Sequence, residues 1–409
     1  MQKGRSAGSS ADKSTAPISF AEACSIIATH ARDILDKGGW ESVTCDLAAA
    51  LGCRLAVPLV ADRDQPPFAR VTRDGYAVRA SDVNSGISLR VIGQIRAGEA
   101  WPSGNLPISA EEAIEIMTGA PLPPGADAVL MVEHAQEVQG KSDGANRTQS
   151  QHQRFVRPLE DRHLTLGENI VHAGSEARRG DILLEPGSRL GPEAIALAAS
   201  CGFLSVPVFA KPDVAILATG DELVDASAHA GSSAAGSGKS DATIRQHQIY
   251  DSNSHALAAL VQQAGGTSLR QRPARDELDD LAGCIRQGLE AAPLLLLTGG
   301  VSLGKFDLVE EAFAGMGAEF FFTGVKMQPG KPVVFGRVPA NGARPERYFF
   351  GLPGNPVSTM VTFRIFVEPI LAALSGERNW QPNIAMATLA AELRTKQGLT
   401  RFVPARLET

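Results

Sequence analysis

The chain is short of the residues and patterns that usually announce a chemistry. Of its 409 residues five are cysteines (Cys24, Cys45, Cys53, Cys201 and Cys284), odd in number, scattered, and without a C-x-x-C pair. That spacing excludes a disulfide framework and a cysteine zinc site, and fits reduced thiols used as small core residues in a cytosol. The eight histidines fall into no metal-ligand spacing. H-E-x-x-H, G-x-S-x-G, a G-x-G-x-x-G following a strand and sustained heptads are all missing, so the functions that those patterns carry have no support. No apolar run approaches the length that crosses a membrane. The first sixteen residues are polar and Ser/Ala-rich, with no hydrophobic core of a signal peptide, and read as a disordered tail on a cytoplasmic protein. A strong charge of either sign is lacking too: the formal net charge is −6. This argues against nucleic acid or an acidic membrane surface as partner, and any positive charge for an anionic ligand must be local.

What is present is an ordinary globular composition, 44% hydrophobic and 21% charged, in a chain longer than one compact core, which predicts two to four domains. Ser19 with Glu22 matches a capping box, and apolar residues at helical spacing predict a helix from Phe20 to Leu35, stopped by Gly38-Gly39. A second helical piece is predicted at Leu47 to Gly52. From Val57 the texture changes to short β-like runs at 71–78, 88–95, 113–117 and 128–138. Residues 57–155 are therefore expected to form a β-rich domain, ending in a polar insertion at 139–154. Residues 156–205, short strands followed by an apolar helix at Pro192 to Cys201, read as the return leg of the region at 17–56. Residues 206–374 show a clear α/β alternation. Strands are expected at 214–217, 267–271, 294–297, 319–323 and 348–350, and helices at 251–263, 276–289, 306–314 and 357–374.

The most informative stretch is LLLLTGGVSLGKFD at 294–307. Four leucines bounded by Pro293 and a glycine pair predict a strand buried on both faces, as in a parallel sheet covered by helices. The loop after it, with Thr298, Gly299, Gly300, Ser302 and Gly304, lets backbone approach a ligand closely. Asp307 sets a carboxylate beside that loop, which suits a magnesium ion held between protein and phosphate oxygens. A plain glycine turn with an acidic first helical turn explains the loop equally well on its own. Two more strands run into Gly-rich polar loops, Ala218-Thr219-Gly220-Asp221-Glu222 and Leu352-Pro353-Gly354-Asn355-Pro356. Three such loops on one edge of a parallel sheet can face a single ligand. The stretch GSSAAGSGKS at 231–240 ends like a phosphate-binding loop but has Ser233 where the first glycine belongs, and is read as a flexible insertion.

Taken together, RDGYAV at 73–78, MTGAPLPPGADAV at 117–129, ATGDEL at 218–223, YDSN at 250–253, TGGVSLGKFD at 298–307, MQPGKP at 327–332 and LPGNPVS at 352–358 resemble the MoeA family. These are the molybdopterin molybdenumtransferases related to the E domains of gephyrin and Cnx1. The resemblance implies a multidomain α/β and β fold. Its parts are a linker and dimerisation domain in two segments (17–56 and 156–205), the β-rich second domain, a three-layer α/β molybdopterin-binding domain at 206–374 of the kind found in molybdopterin adenylyltransferases, and the start of an incomplete C-terminal β-barrel at 375–409. It implies a homodimer whose cleft is shared between subunits, insertion of molybdate into adenylylated molybdopterin with release of AMP, and magnesium. Molybdopterin adenylyltransferase and acceptor molybdoenzymes are the further partners it implies.

By the same resemblance, Thr298, Gly299, Gly300 and Ser302 cradle phosphate, and Glu222, Asp251 and Asp307 hold the cation. Lys331 and Ser358 contribute to the molybdate site, with Lys326 as auxiliary charge. Thr219, Gly220, Asn253, Pro332, Pro353, Asn355 and Pro356 complete the substrate-binding set, while Asp74 and Thr118 reach in from the partner subunit. Where family members often carry a basic residue before P-G-K-P, this chain has Gln328, which implies a smaller local positive field. Two other readings stand beside this one: an ATP-dependent molybdopterin adenylyltransferase, which the long segment with MTGAP argues against, and a non-catalytic scaffold, which the three loop-end carboxylates argue against.

Overall fold

The computed structural model describes residues 16–99, 106–139, 154–159, 162–225, 244–300, 306–342, 344–382, 384–395 and 397–406. The expected tail up to residue 15, residues 140–153 and 226–243 of the two insertions, and Ser302 lie outside the described residues. So does the side chain of Asp307. By internal contacts the chain divides into two units, Met1–Val57 with Pro186–Ala196 and Leu204–Thr409, and Pro58–Glu185 with Leu197–Phe203.

The first unit is built on a six-stranded sheet. Its labelled elements in chain order are α1 (Phe20–Lys37), β1 (Asp213–Ala218), α2 (Asn253–Gln263), β2 (Thr267–Arg270), α3 (Leu278–Ala291), β3 (Leu294–Thr298), α4 (Phe306–Ala314), β4 (Glu319–Phe322), β5 (Val334–Val338), β6 (Arg347–Leu352), α5 (Pro356–Thr362) and α6 (Glu368–Leu374). The strand order is β2-β1-β3-β6-β5-β4. The first four run parallel, and β5 pairs antiparallel with both β6 and β4. Every residue of β3 is buried, and the leucines divide by the strand's two-residue period. Leu294 and Leu296 enter a core shared with Ile27 of α1, Leu257 of α2 and Phe366 and Ile370 on the other side. Leu295 and Leu297 enter a second core with Ile285 of α3 and Phe313 of α4. Helices on both faces of one sheet make three layers, and the β3 sequence is apolar throughout for that reason.

Ser19 caps α1 as expected, its hydroxyl accepting from Glu22 N–H at 3.2 Å. Between α5 and α6 the helix widens into a π-helical turn at Phe363–Val367, just before Pro369, which has no N–H to give. The span Pro356–Leu374 is long and apolar enough to cross a membrane by length and composition, unlike the expectation that no run reaches that length. Here 56% of that window is buried, because its apolar side packs on the sheet. The strand β5 was not expected. Gly336 interrupts its apolar pattern, and a Cβ there would collide with the Phe349 ring of β6. The predicted helix at Leu47 to Gly52 is only a short turn at Leu47–Ala49, preceded by an unforeseen strand, Ser42–Asp46, paired with Ser205–Phe209.

The expected start of a C-terminal barrel covers 375–409. Among the described residues there the one strand is Thr400–Arg401, and it pairs in parallel with Met327–Gln328.

The second unit holds a mixed six-stranded sheet in the order Ala128–Met131, Gly75–Val78, Glu112–Ile116, Leu89–Ile95, Arg154–Pro158, Ala135–Gln139. Its two faces carry separate apolar clusters, one around Tyr76 and Leu130, the other around Ile95 and Ile114. Gln139 and Arg154 are ladder partners, so the 140–153 insertion joins two paired strands. At Gly75 the backbone of Leu130 passes where a Cβ would stand, so only glycine fits in that strand.

Candidate active site

Because β1, β3 and β6 are adjacent and parallel, the loops after them leave the same edge of the sheet. Four chain segments are tied together there. Thr219 N–H donates to Thr298 O at 2.9 Å. Asn253, the first residue of α2, donates from Nδ2 to Thr298 Oγ1 at 2.9 Å and to Gly354 O at 2.8 Å. Gly299 (φ 87°) and Gly300 (φ 65°) both have left-handed backbone. A Cβ on Gly299 would stand 2.5 Å from Thr219 O, so the turn needs glycine both for its conformation and for its close approach.

Inside this knot two buried polar atoms have no hydrogen-bond partner among the described residues, Thr219 Oγ1 and Asn253 Oδ1. Buried polar groups are nearly always paired, and each orphan costs roughly 1–3 kcal/mol. A ligand with polar groups would satisfy both.

The surrounding residues have more ordinary work. Asn355 Oδ1 accepts from Val357 N–H at 3.0 Å and Ser358 N–H at 3.3 Å, capping α5, with Pro356 at its first turn. Thr359, missed from the sequence, donates its hydroxyl to Pro353 O and Asn355 O, so the loop is also held from inside the helix.

Of the three expected cation ligands, Glu222 and Asp251 can be placed. Leu223–Val224 pairs in parallel with Ile249–Tyr250. This sets Glu222 level with Gln248 and Asp251 level with Asp225, an offset of three residues or roughly 10 Å along the strands. The Glu222 carboxylate is exposed and lies over Gly220, where it occupies the space of a Cβ. Asp251 is 5% exposed and its carboxylate accepts from Ser254 N–H at 3.0 Å and from the Ser254 hydroxyl, which makes it an anchor for the start of α2. Among the described residues no group of three or more His, Cys, Asp or Glu side chains could hold a metal ion.

The second expected cluster sits beside α5. Gly330 (φ 103°) approaches so closely that a Cβ would be 2.5 Å from Thr362 Cγ2. Thr362 Oγ1 in turn donates to Ser358 O at 2.8 Å, so the first turn of α5, which carries Ser358, is joined to the residue that meets Gly330. Lys326 and Lys331 are exposed, with no ion pair among the described residues. Pro332 is half-buried behind Lys331. The loop backbone is clamped on both sides. Lys326 N–H donates to Ile18 O at 2.8 Å, while Thr400 N–H donates to Lys326 O at 3.0 Å and Phe402 N–H to Gln328 O at 2.9 Å. Arg401 Nη1 donates to Gln328 Oε1 at 2.6 Å. No local signal foretells a contact across 73 residues.

In the second unit Asp74 Oδ1 accepts from Thr118 N–H and from its hydroxyl, both at 2.7 Å. These bonds, the backbone one first, hold the Asp74 carboxyl below its ordinary range.

The MoeA N-terminal region (domain I and II) family matches residues 18–202, and the probable molybdopterin binding domain family matches residues 215–373. A molybdopterin molybdenumtransferase of Staphylococcus aureus (strain COL) is 30% identical over 380 residues, covering 92% of this chain and 81% of the relative. One of Bacillus subtilis (strain 168) is 34% identical over 358 residues, covering 86% and 75%. A solved molybdopterin biosynthesis MoeA protein from Pyrococcus horikosii aligns with a TM-score of 0.62 at 27% identity, covering 89% of this chain and 81% of its own. With both domain families matched in order and the seven loop motifs in place, the chain belongs to the MoeA family.

Proposed function

We propose that this chain is a molybdopterin molybdenumtransferase, inserting molybdate into adenylylated molybdopterin and releasing AMP. The observation that carries the reading is the pair of buried, unpartnered atoms, Thr219 Oγ1 and Asn253 Oδ1, in a knot of backbone at the carboxyl edge of the sheet. Amides of Gly299 and Gly300 face substrate phosphate there, and Lys331, Lys326 and Ser358 face the oxyanion. The dithiolene sulfurs of the substrate are themselves the nucleophiles toward molybdenum. The protein's share is therefore positioning and charge stabilisation, with no serine or cysteine nucleophile required. The resemblance also implies magnesium; among the described residues no group of three possible ligands gathers to hold it, and no step is assigned to it.

In this reading the protein works as a cytosolic homodimer, in which Asp74 and Thr118 of one copy complete the cleft of the other. Molybdopterin adenylyltransferase supplies its substrate, and molybdoenzymes accept its product. The test is an assay with adenylylated molybdopterin and molybdate. AMP release that depends on molybdate is expected; ATP consumption with free molybdopterin, and none of that release, would favour the adenylyltransferase alternative.

A further inference from the structure

The lysine loop has Gln328 immediately before its P-G-K-P sequence, yet a guanidinium stands at that position. The parallel pairing of Met327–Gln328 with Thr400–Arg401 puts Arg401 opposite Gln328, and the amide oxygen of Gln328 accepts from Arg401 Nη1 at 2.6 Å. The bonds from Thr400 N–H to Lys326 O and from Phe402 N–H to Gln328 O fix the register on either side. The Phe402 ring packs edge-on against Phe20 of α1, with centroids 5.4 Å apart.

Two further facts make Arg401 more than a strand residue. It has no carboxylate partner among the described residues, whereas twelve other arginines there do pair with one. Its Nε is buried with no acceptor among the described residues. A half-buried guanidinium with an idle N–H and no counter-charge is a site awaiting an anion, since planar N–H pairs match tetrahedral oxyanions well. Lys326 and Lys331, equally uncompensated, flank it on the same loop.

We infer that Arg401 is a third cationic ligand of the oxyanion, supplying from the distant C-terminal strand the charge that Gln328 does not provide; this rests on the molybdenumtransferase reading. Gln328 is then the positioning residue that aims the guanidinium. The ligand class is a tetrahedral dianion of the size of molybdate.

The experiment measures molybdate-dependent AMP release, by the purified full chain, for Arg401→Gln, Arg401→Lys and the exchange Gln328→Arg/Arg401→Gln, with Lys331→Ala alongside. Loss of one charge-assisted contact predicts a KM for molybdate raised about tenfold in Arg401→Gln, with kcat changed by less than about twofold. Arg401→Lys and the exchange should recover most of the affinity, because each returns a cation to the pair. An unchanged KM in Arg401→Gln beside a raised KM in Lys331→Ala would overturn the role of Arg401 and leave the loop reading intact. If neither responds, the oxyanion reading of the loop itself falls. Should Arg401→Gln melt early, the exchange variant decides alone: a KM about tenfold above wild type in a folded exchange protein would count against the inference.

Discussion

Asn253 carries two hydrogen bonds on one amide and leaves its other atom idle, so its replacement has separable consequences. Asn253→Ala frees Thr298 Oγ1 and Gly354 O, and is expected to lower stability by about 1–2 kcal/mol in urea unfolding while raising the substrate KM by at least about tenfold. A stability loss with an unchanged KM would make Asn253 a purely structural tie. At Asp74 the sign of the pH effect follows from the depressed carboxyl. The folded value lies below the unfolded one of about 3.9, so the bond to Thr118 stabilises above that range and is lost as pH falls through the folded value. Thr118→Val removes the hydroxyl donor but keeps the N–H, so the Asp74 carboxyl should titrate at higher pH, seen by carbon NMR, and the stability that this group loses on acidification should be smaller. No change in that titration would mean that the backbone bond alone sets it. At this scale the sequence identified residue types better than their work. Asp251 stood out as a carboxylate at a loop end, but a carboxylate three residues before a buried serine in a helix start reads identically whether it holds a metal or Ser254.

Among the elements, β3 was legible because burial on both faces forces an unbroken apolar run, and its register follows from the same fact. β5 was not, because Gly336 breaks its pattern for the sake of a ring on the neighbouring strand, a reason that exists only after the sheet has formed. Ser42–Asp46 was missed for the opposite cause: it lies largely exposed and so has no apolar period to display. The Gly299-Gly300 turn offers the sharpest test of an element. Gly299→Ala must place a Cβ 2.5 Å from Thr219 O at a φ of 87°. We expect a loss of about 1–3 kcal/mol in thermal unfolding and turnover reduced by more than about tenfold, since the loop's approach to substrate is set by that backbone. Wild-type turnover in this variant would show that the turn only reverses the chain.

For the molecule as a whole, a net charge of −6 coexists with Lys326 and Lys331 on one short loop, neither ion-paired among the described residues. The domain families match over nearly the whole described chain, yet the sharing of one cleft by two copies is a proposal with its own test. Asp74→Ala and Asn253→Ala, each impaired alone at limiting substrate, should complement when co-expressed. Half of randomly assembled dimers would then have one intact cleft, giving about a quarter of wild-type turnover. No recovery in dimers shown to contain both variants would mean that each cleft lies within one copy.

The clamp on the lysine loop has a practical outcome. Its backbone is gripped by Ile18 on one flank and by residues 400–402 on the other, so the lysines proposed to hold the oxyanion lie between two segments far apart in sequence. Trimming back past residue 20 or residue 399, or fusing a bulky tag close to either, should blunt discrimination between oxyanions while leaving the leucine-filled interior intact. Hydrogen exchange at Lys326 and Phe402 would register the slackening first.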